Sequence, residues 1–419
     1  MTLAVTNAVY EGEQVGLRAA DGRIAELGPN VEPHADDEHV DAGGMALVPG
    51  LVNGHTHAAM TLFRGSDPGL PLMRWLEEYV WPIEAKLEDE DVYWGTRLAC
   101  AEMVRTGTIA FWDMYWRPPA VARAVQDAGL RATVAAPLFD GADPSATGKL
   151  QEEAKHWLAE LDGVGPQIDV ALAPHAIYTV SEPSLRWIAE VAAERELPIH
   201  IHLSETEKEV ADCVVAQGTR PAAYLESVGV LGPRTVLAHG VYLDDAELDL
   251  IAQRGATIVT NPASNMKLAV GGAFRFRAAR DRGIAVGLGT DGAGTNDSLD
   301  LSQDAKLFAL VQKDAEGDPT AVRAAEVLEL ARGRLSTLLG RSAELKQGGP
   351  ADFLLLGLQT AEMGIGALDS NLVYASTGAV VDTTVVAGRV LMRGGALPEE
   401  EEILGRARER AARLGLGAG

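Results

Sequence analysis

Basic residues are scarce in this chain: 36 lysines and arginines stand against 60 aspartates and glutamates, a formal net charge of −24. Phosphate binding needs a basic footprint, so nucleic acid is excluded as a partner, and an anionic membrane surface with it. Cysteine is scarcer still. Cys100 and Cys213 make neither a disulfide framework nor a zinc-finger spacing, which points to a reducing cytoplasm. No run is long and apolar enough to span a bilayer. The opening MTLAVTNAVYEGE lacks the basic region and the apolar block of a secretion signal. What is present is 47 % apolar and 23 % charged residues over 419 positions, the profile of a soluble globular protein with room for a large core. The acidic stretches EPHADDEHVD and PEEEEILGRARER read as a solvated loop and tail. A small-molecule substrate is the partner this profile admits, and homo-oligomerisation is left open.

Two textures alternate along the chain. Both ends carry short strands and turns: GLRAADGRIAELGP is a hairpin with Asp21-Gly22 at its turn, and ADFLLLGL and VDTTVVAGRVLMRGG repeat the style near the C-terminus. Between them apolar strands alternate with amphipathic helices, as in TIAFWDMY, AVARAVQDAGL, RATVAAPLF and IDVALAPHA. Serial βα units imply a parallel sheet covered by helices, and their number suits a closed (β/α)8 barrel of the TIM type. The fold class is therefore α/β. The expected division is residues 1–50 as the first part of a small β-sandwich, 51–347 as the barrel, 348–397 as the second part of the sandwich, and 398–419 as a helical tail.

The stretch LVPGLVNGHTHAAM, residues 47–60, reads as one buried strand that ends in His-Thr-His. Residues i and i+2 of a strand share a side, so His55 and His57 can face one point at the C-terminal end of a barrel strand, where barrel active sites lie. Two neutral imidazoles aimed at one point suit a divalent metal. Alone the pair is a weak signal, but it recurs. His175 follows an apolar strand in LAPHA, PIHIHLSE offers His200, His202 and Glu205, TVLAHG ends in His239, and IAVGLGTDG ends in Asp291. His200 reads as an interior histidine lower in the barrel. Of the nine histidines, His34, His39 and His156 fall outside this pattern and read as surface residues. Burying several histidines and an aspartate without a shared partner is costly, and a metal-centred site gives all of them one.

These residues, in this order, resemble the amidohydrolase superfamily. NGHTH, IHLSET, LAHG and GTDGAGTN stand where that family has its metal and catalytic motifs. LVNGHTHAAMTLFRG, WPIEAKL, APHAIYTVSE, HLSETEKEV and NPASNMKLA narrow the likeness to the methylthioadenosine/S-adenosylhomocysteine deaminases, relatives of the triazine hydrolases and chlorohydrolases. The resemblance implies His55, His57, His202 and Asp291 as ligands of one divalent metal, zinc in the first place, with iron(II) and manganese(II) as alternatives. It implies Glu205 as the proton-transferring acid, His239 as a non-ligand catalytic histidine, and Asp291 as a proton acceptor as well as a ligand. Glu84 would bind the ribose hydroxyls and His175 would contact the substrate, with Glu205 also touching the base. No strand end between Thr133 and Pro174 offers a bridging lysine, in keeping with one metal. The implied activity is hydrolytic deamination of an adenine nucleoside, such as methylthioadenosine or adenosine, by metal-activated water. A triazine chlorohydrolase or guanine-type deaminase of the same fold is the alternative. A non-catalytic scaffold relative would be expected to lose ligands, and this chain retains all four.

The chain departs from the resemblance at one place. Between Arg131 and Lys149 there is no basic residue that could grip the carboxylate of an S-adenosylhomocysteine tail, while Asp140 and Asp143 would repel it if they faced the pocket. A preference for compact or apolar 5′ groups follows. Asn296 is expected to brace the loop of Asp291, NPASNMKLA to shape a turn near the metal, and Lys267 to lie on the surface.

Overall fold

The computed structural model describes residues 2–66, 69–340 and 344–417. Position 1 of the first expected sandwich segment, 67–68 and 341–343 of the expected barrel span, and 418–419 of the expected tail lie outside the described residues.

Eight parallel strands follow one another around the barrel in chain order: Leu51–Thr56, Thr108–Met114, Arg131–Leu138, Ile168–Pro174, Ile199–Leu203, Thr235–His239, Thr257–Thr260 and Ala285–Leu288. They are buried almost throughout, because helices cover the outside and side chains fill the inside. Between first and last strands, Asn53 joins the ends. Its Oδ1 accepts from the Thr290 N–H at 3.0 Å, its Nδ2 donates to Thr290 Oγ1 at 2.7 Å, and the Asp291 N–H donates to the His55 carbonyl at 3.0 Å. Among the described residues no helix is long and apolar enough to cross a membrane.

Strands from both termini meet in one eight-stranded mixed sheet with its own core around Leu3, Leu17, Ile24, Phe353 and Leu355. The hairpin reading holds. Glu13–Ala20 pairs antiparallel with Arg23–Gly28, and Asp21 and Gly22 at its turn have φ of 51° and 75°, as a two-residue hairpin turn requires. Phe353–Gly357 pairs antiparallel with Met45–Pro49, which ties the two ends of the chain together.

The stretch 47–60 is not one strand. Leu47 and Val48 belong to the terminal sheet, and the barrel strand begins at Leu51. Pro49 has no N–H to continue a ladder. Gly50 packs so closely on Ile109 that a Cβ would stand 2.5 Å from its side chain. The chain therefore changes sheets at Pro49-Gly50, and His55 follows five residues later. The helix Glu400–Arg413 packs on Asp89–Thr106, with Arg97–Glu399 and Arg105–Glu400 ion pairs both at 2.8 Å.

Candidate active site

His55, His57, His202, His239 and Asp291 converge at the C-terminal mouth of the barrel, carried by the first, fifth, sixth and eighth strands or the residues just after them. Two strand ends bend sharply to aim these groups inward. His239 has φ of 74° and Asp291 of 61°, in the left-handed region that residues with a Cβ enter at a cost of about 1–3 kcal/mol.

Backbone carbonyls fix two of the imidazoles. His57 Nδ1 donates to the Met114 carbonyl at 2.6 Å, and His202 Nδ1 donates to the His175 carbonyl at 2.7 Å. In the neutral rings both Nε2 atoms then carry lone pairs, and these lie 3.3 Å apart. Asp291 Oδ1 faces His57 Nε2 at 3.2 Å and His55 Nε2 at 3.5 Å. His55 Nε2 is wholly buried and has no hydrogen-bond partner. With the rings neutral and His55 Nδ1 donating to His200, three nitrogen lone pairs and one carboxylate oxygen face one another. What the cluster lacks is positive charge, and this donor set fits a divalent cation.

The titration behaviour expresses the same need. Burial lowers His55 to about 4, with Asp291 opposing. Burial also opposes protonation of His57, yet the Asp291 carboxylate raises that ring to about 9. Burial alone would raise Asp291, but His55 and His57 hold it well below the usual carboxylate range. Its other oxygen is tied down, with Ser264 Oγ donating to Oδ2 at 2.6 Å and Thr295 Oγ1 at 3.0 Å.

His239 Nδ1 lies 2.8 Å from Asn265 Oδ1, an acceptor, which places the proton on Nδ1 and turns a bare Nε2 to the cavity. That Nε2 is 3.9 Å from Glu205 Oε2. His55, His202 and His239 also form a triplet within 4.8 Å, so geometry alone would admit His239 beside the other nitrogens. Glu205 is 6 % exposed, and burial raises its carboxyl above the usual range while His239 pulls it back.

His57, His202, Glu205, His239 and Asp291 line one end of a cavity walled by Trp75, Trp81, Trp116, Phe139, Tyr178 and Leu268. Glu84 and His175 line it too. Glu84 rides on the helical segment 72–84; burial raises its carboxyl, and the neighbouring Trp116 and Tyr115 side chains oppose the shift. His175 Nδ1 bonds Thr179 Oγ1 at 2.9 Å, and burial depresses the ring to about 3.

No lysine or arginine lines the cavity among the described residues. Lys267 pairs with Asp297 at 2.5 Å, and Lys149 is exposed on a helix. Arg131 sits at the far end of its strand on Asp352, at 2.7 Å. Asp140 and Asp143 do not face the cavity. Asp140 accepts from Ser181 and Ser184, both Oγ at 2.6 Å, and Asp143 caps its own turn at Ser145. The condition for repulsion, that they face the pocket, is not met, because local hydroxyls and amides turn both carboxylates to their own loops.

His200 does not enter the lone-pair cluster. It lies inside the barrel with Nε2 2.9 Å from His55 Nδ1. Asn296 Nδ2 bonds the Thr290 carbonyl at 2.8 Å and Asp304 Oδ2 at 2.9 Å, beside Asp291. Sequence reasoning missed Asp113, which accepts from Thr56 Oγ1 at 2.9 Å and the Ala58 N–H at 2.6 Å, pinning both neighbours of His57. It also missed the aromatic wall and the specific partners Ser264 and Asn265, although NPASNMKLA marked their turn.

Known proteins resemble the chain over nearly its whole length. The chain is 44 % identical over 401 residues to a 5′-deoxyadenosine deaminase of Methanoregula boonei, covering 94 % of this chain and 91 % of that one. It is 42 % identical over 405 residues to a 5-methylthioadenosine/S-adenosylhomocysteine deaminase of Archaeoglobus fulgidus, covering 95 % and 94 %. Among solved structures, a zinc-bound adenosine deaminase from Xanthomonas campestris superposes with a TM-score of 0.87 at 30 % identity, over 99 % of this chain and 98 % of that one. A zinc complex of an atrazine chlorohydrolase from Arthrobacter aurescens shares the fold, with a TM-score of 0.89 at 22 % identity over 98 % and 100 %. The amidohydrolase family model matches residues 46–391, from the last strand before the barrel to the last strand of the terminal sheet, and the chain belongs to that family.

Proposed function

We propose that this protein is a metal-dependent hydrolytic deaminase of adenine nucleosides with a compact or apolar 5′ group, such as methylthioadenosine, 5′-deoxyadenosine or adenosine. The observation that carries the reading is a lone-pair cluster fit for a cation meeting, on one cavity floor, a separate buried carboxyl, Glu205. The deaminase relatives support it.

His55, His57, His202 and Asp291 would hold the cation. A divalent cation bound there supplies the acidity that brings water from a pKa near 16 to about 7, so that a nucleophile exists at neutral pH. Glu205, whose burial raises its proton affinity, delivers a proton to the ring nitrogen beside the reacting carbon. It then takes up the proton of the newly added hydroxyl and passes it to the departing amine, because amide ion is too poor a leaving group. Asp291 accepts the proton lost by the attacking water and passes it on to restore Glu205, while Ser264 and Thr295 hold its Oδ2 and fix the orientation of the carboxylate. His239 presents Nε2 to the reacting oxygen and orients it. From the wall, Glu84 accepts hydrogen bonds from the ribose hydroxyls and His175 contacts the base. Both cysteines are unpaired and buried, which supports a cytoplasmic location.

The test is a panel of adenosine, methylthioadenosine, 5′-deoxyadenosine, guanine and a chlorotriazine, with ammonia and chloride both measured. Ammonia from the adenine nucleosides is expected. Chloride from the triazine with no ammonia from any nucleoside would sink the proposal. Glu205→Gln should keep its metal and lose about a hundredfold or more in turnover, the usual worth of a general acid.

A further inference from the structure

The fifth barrel strand ends at Leu203, and a new helix begins at Glu207. In the residues between, the chain must present Glu205 to the cavity. It turns through Ser204, whose φ of 50° is left-handed and whose Oγ is buried without a hydrogen-bond partner. Such a conformation persists only where its surroundings over-determine it. On the carbonyl side, Ser204 accepts from the Tyr242 N–H at 2.9 Å and Leu203 from the Gly240 N–H at 3.0 Å. On the amide side, two consecutive N–H groups go to one carboxylate: Ser204 to Glu209 Oε1 at 2.7 Å and Glu205 to Glu209 Oε2 at 2.8 Å.

Glu209 is the third residue of the helix Glu207–Gln217, whose N-cap Thr206 accepts from the Glu209 N–H at 3.1 Å. In a capping box, a glutamate at this position reaches back to the N-cap's own N–H. The helix Asp245–Arg254 does this in the same molecule, with Glu247 accepting from the Asp244 N–H at 3.2 Å. Glu209 instead reaches past its N-cap to the two residues before it, one of which is Glu205. It is 6 % exposed and does not line the cavity. Its direct contact with the site is the turn it holds.

We propose that Glu209 is a positioning residue for Glu205, its carboxylate locking the left-handed turn that aims the Glu205 side chain at the reacting atoms. Its effect on turnover rests on the deaminase reading above; its effect on geometry does not. Both oxygens are needed, since a glutamine offers one acceptor and would turn an NH2 toward the second N–H.

Glu209→Ala and Glu209→Gln are compared with the unaltered protein for zinc content, melting temperature, kcat and KM. The expected result is kcat lower by at least tenfold, KM within twofold and full zinc content. In the double variant Glu205→Gln/Glu209→Ala, the loss should be no larger than in Glu205→Gln alone, because a residue acting only through Glu205 has nothing left to position. A crystal structure of Glu209→Ala, or of Glu209→Gln if the alanine variant does not fold, should show the Glu205 carboxyl displaced from His239. A lower melting temperature with unchanged kcat, additive losses in the double variant, lost zinc, or Glu205 unmoved in the crystal would each overturn the proposal. If the unaltered protein deaminates no nucleoside, the reading of the reaction fails, and the crystal structure still decides this one.

Discussion

On the proposed function, the cavity should discriminate among 5′ substituents by what its wall lacks. S-adenosylhomocysteine ends in a carboxylate and an ammonium, whereas methylthioadenosine ends in a methyl group. The wall offers Trp75, Trp81, Phe139 and Leu268 and no cation among the described residues. A carboxylate drawn into such a wall forgoes a charge-assisted hydrogen bond worth about 1.5–3 kcal/mol. Left in solvent, it forgoes the packing of its tail. At about 1.4 kcal/mol per decade, methylthioadenosine should lead by tenfold or more in kcat/KM. The corresponding perturbation is Phe139→Arg. Phe139 follows the third barrel strand and packs edge-on against Trp81 at 5.6 Å and His175 at 6.1 Å. A guanidinium at that position can grip a carboxylate with two parallel hydrogen bonds. The variant should narrow the ratio by about tenfold, and Phe139→Leu, which removes the ring without adding charge, should not. The assay is initial-rate ammonia release from both substrates at one ionic strength. A tenfold preference of the unaltered protein for S-adenosylhomocysteine would refute the reasoning, because some other group would then hold the carboxylate.

Glu84→Ala should raise KM for adenosine while sparing 2′-deoxyadenosine, since the carboxylate is proposed to accept from both ribose hydroxyls; equal losses on the two would show that Glu84 only supports the helical segment 72–84. Zinc at about a thousandfold its Kd should stabilise the chelator-treated protein by about 4 kcal/mol, seen as a rise in Tm that Asp291→Asn largely loses. Arg18 hydrogen-bonds Asp37 and holds that carboxyl well below its usual range. A depressed carboxyl contributes stability that is present above its unfolded pKa of about 3.9 and is lost as pH falls below it. In metal-free protein, Asp37→Asn should therefore lower Tm at pH 7 more than at pH 3, and an equal drop at both would deny the ion pair that role.

The barrel was legible, and the cluster proposed to hold a cation could be picked out, because both obey short-range periodicities. His55 and His57 are two apart on a strand, and the other candidates recur at strand ends, where apolar runs give way to polar residues. The wall was not legible, because it comes from a helical segment and from loops that reach the cavity only in three dimensions. Trp75 and Trp81 lie six residues apart in WLEEYVWPIE, a pattern that also suits an ordinary amphipathic helix. Glu84 shares that ambiguity. The break at Pro49-Gly50 was written in two residues known to interrupt strands, but the apolar run on both sides masked it. His200 illustrates another limit. Its burial was foreseen, whereas its bond to His55 depends on how the first and fifth strands face each other across the barrel, which no single strand encodes.

The pairing of Phe353–Gly357 with Met45–Pro49 sets a timetable for synthesis. When the ribosome has made the first fifty residues, the hairpin Glu13–Gly28 can form, but the strand leading into His55 still lacks its antiparallel neighbour, about 300 residues downstream. Asp291, which faces His55 and His57 from the last barrel strand, is likewise among the later segments to emerge. Contacts between such distant segments form slowly. The nascent chain therefore exposes His55 and His57 long before their enclosure exists, and a cation bound by the proposed cluster would have to be taken up by the finished polypeptide.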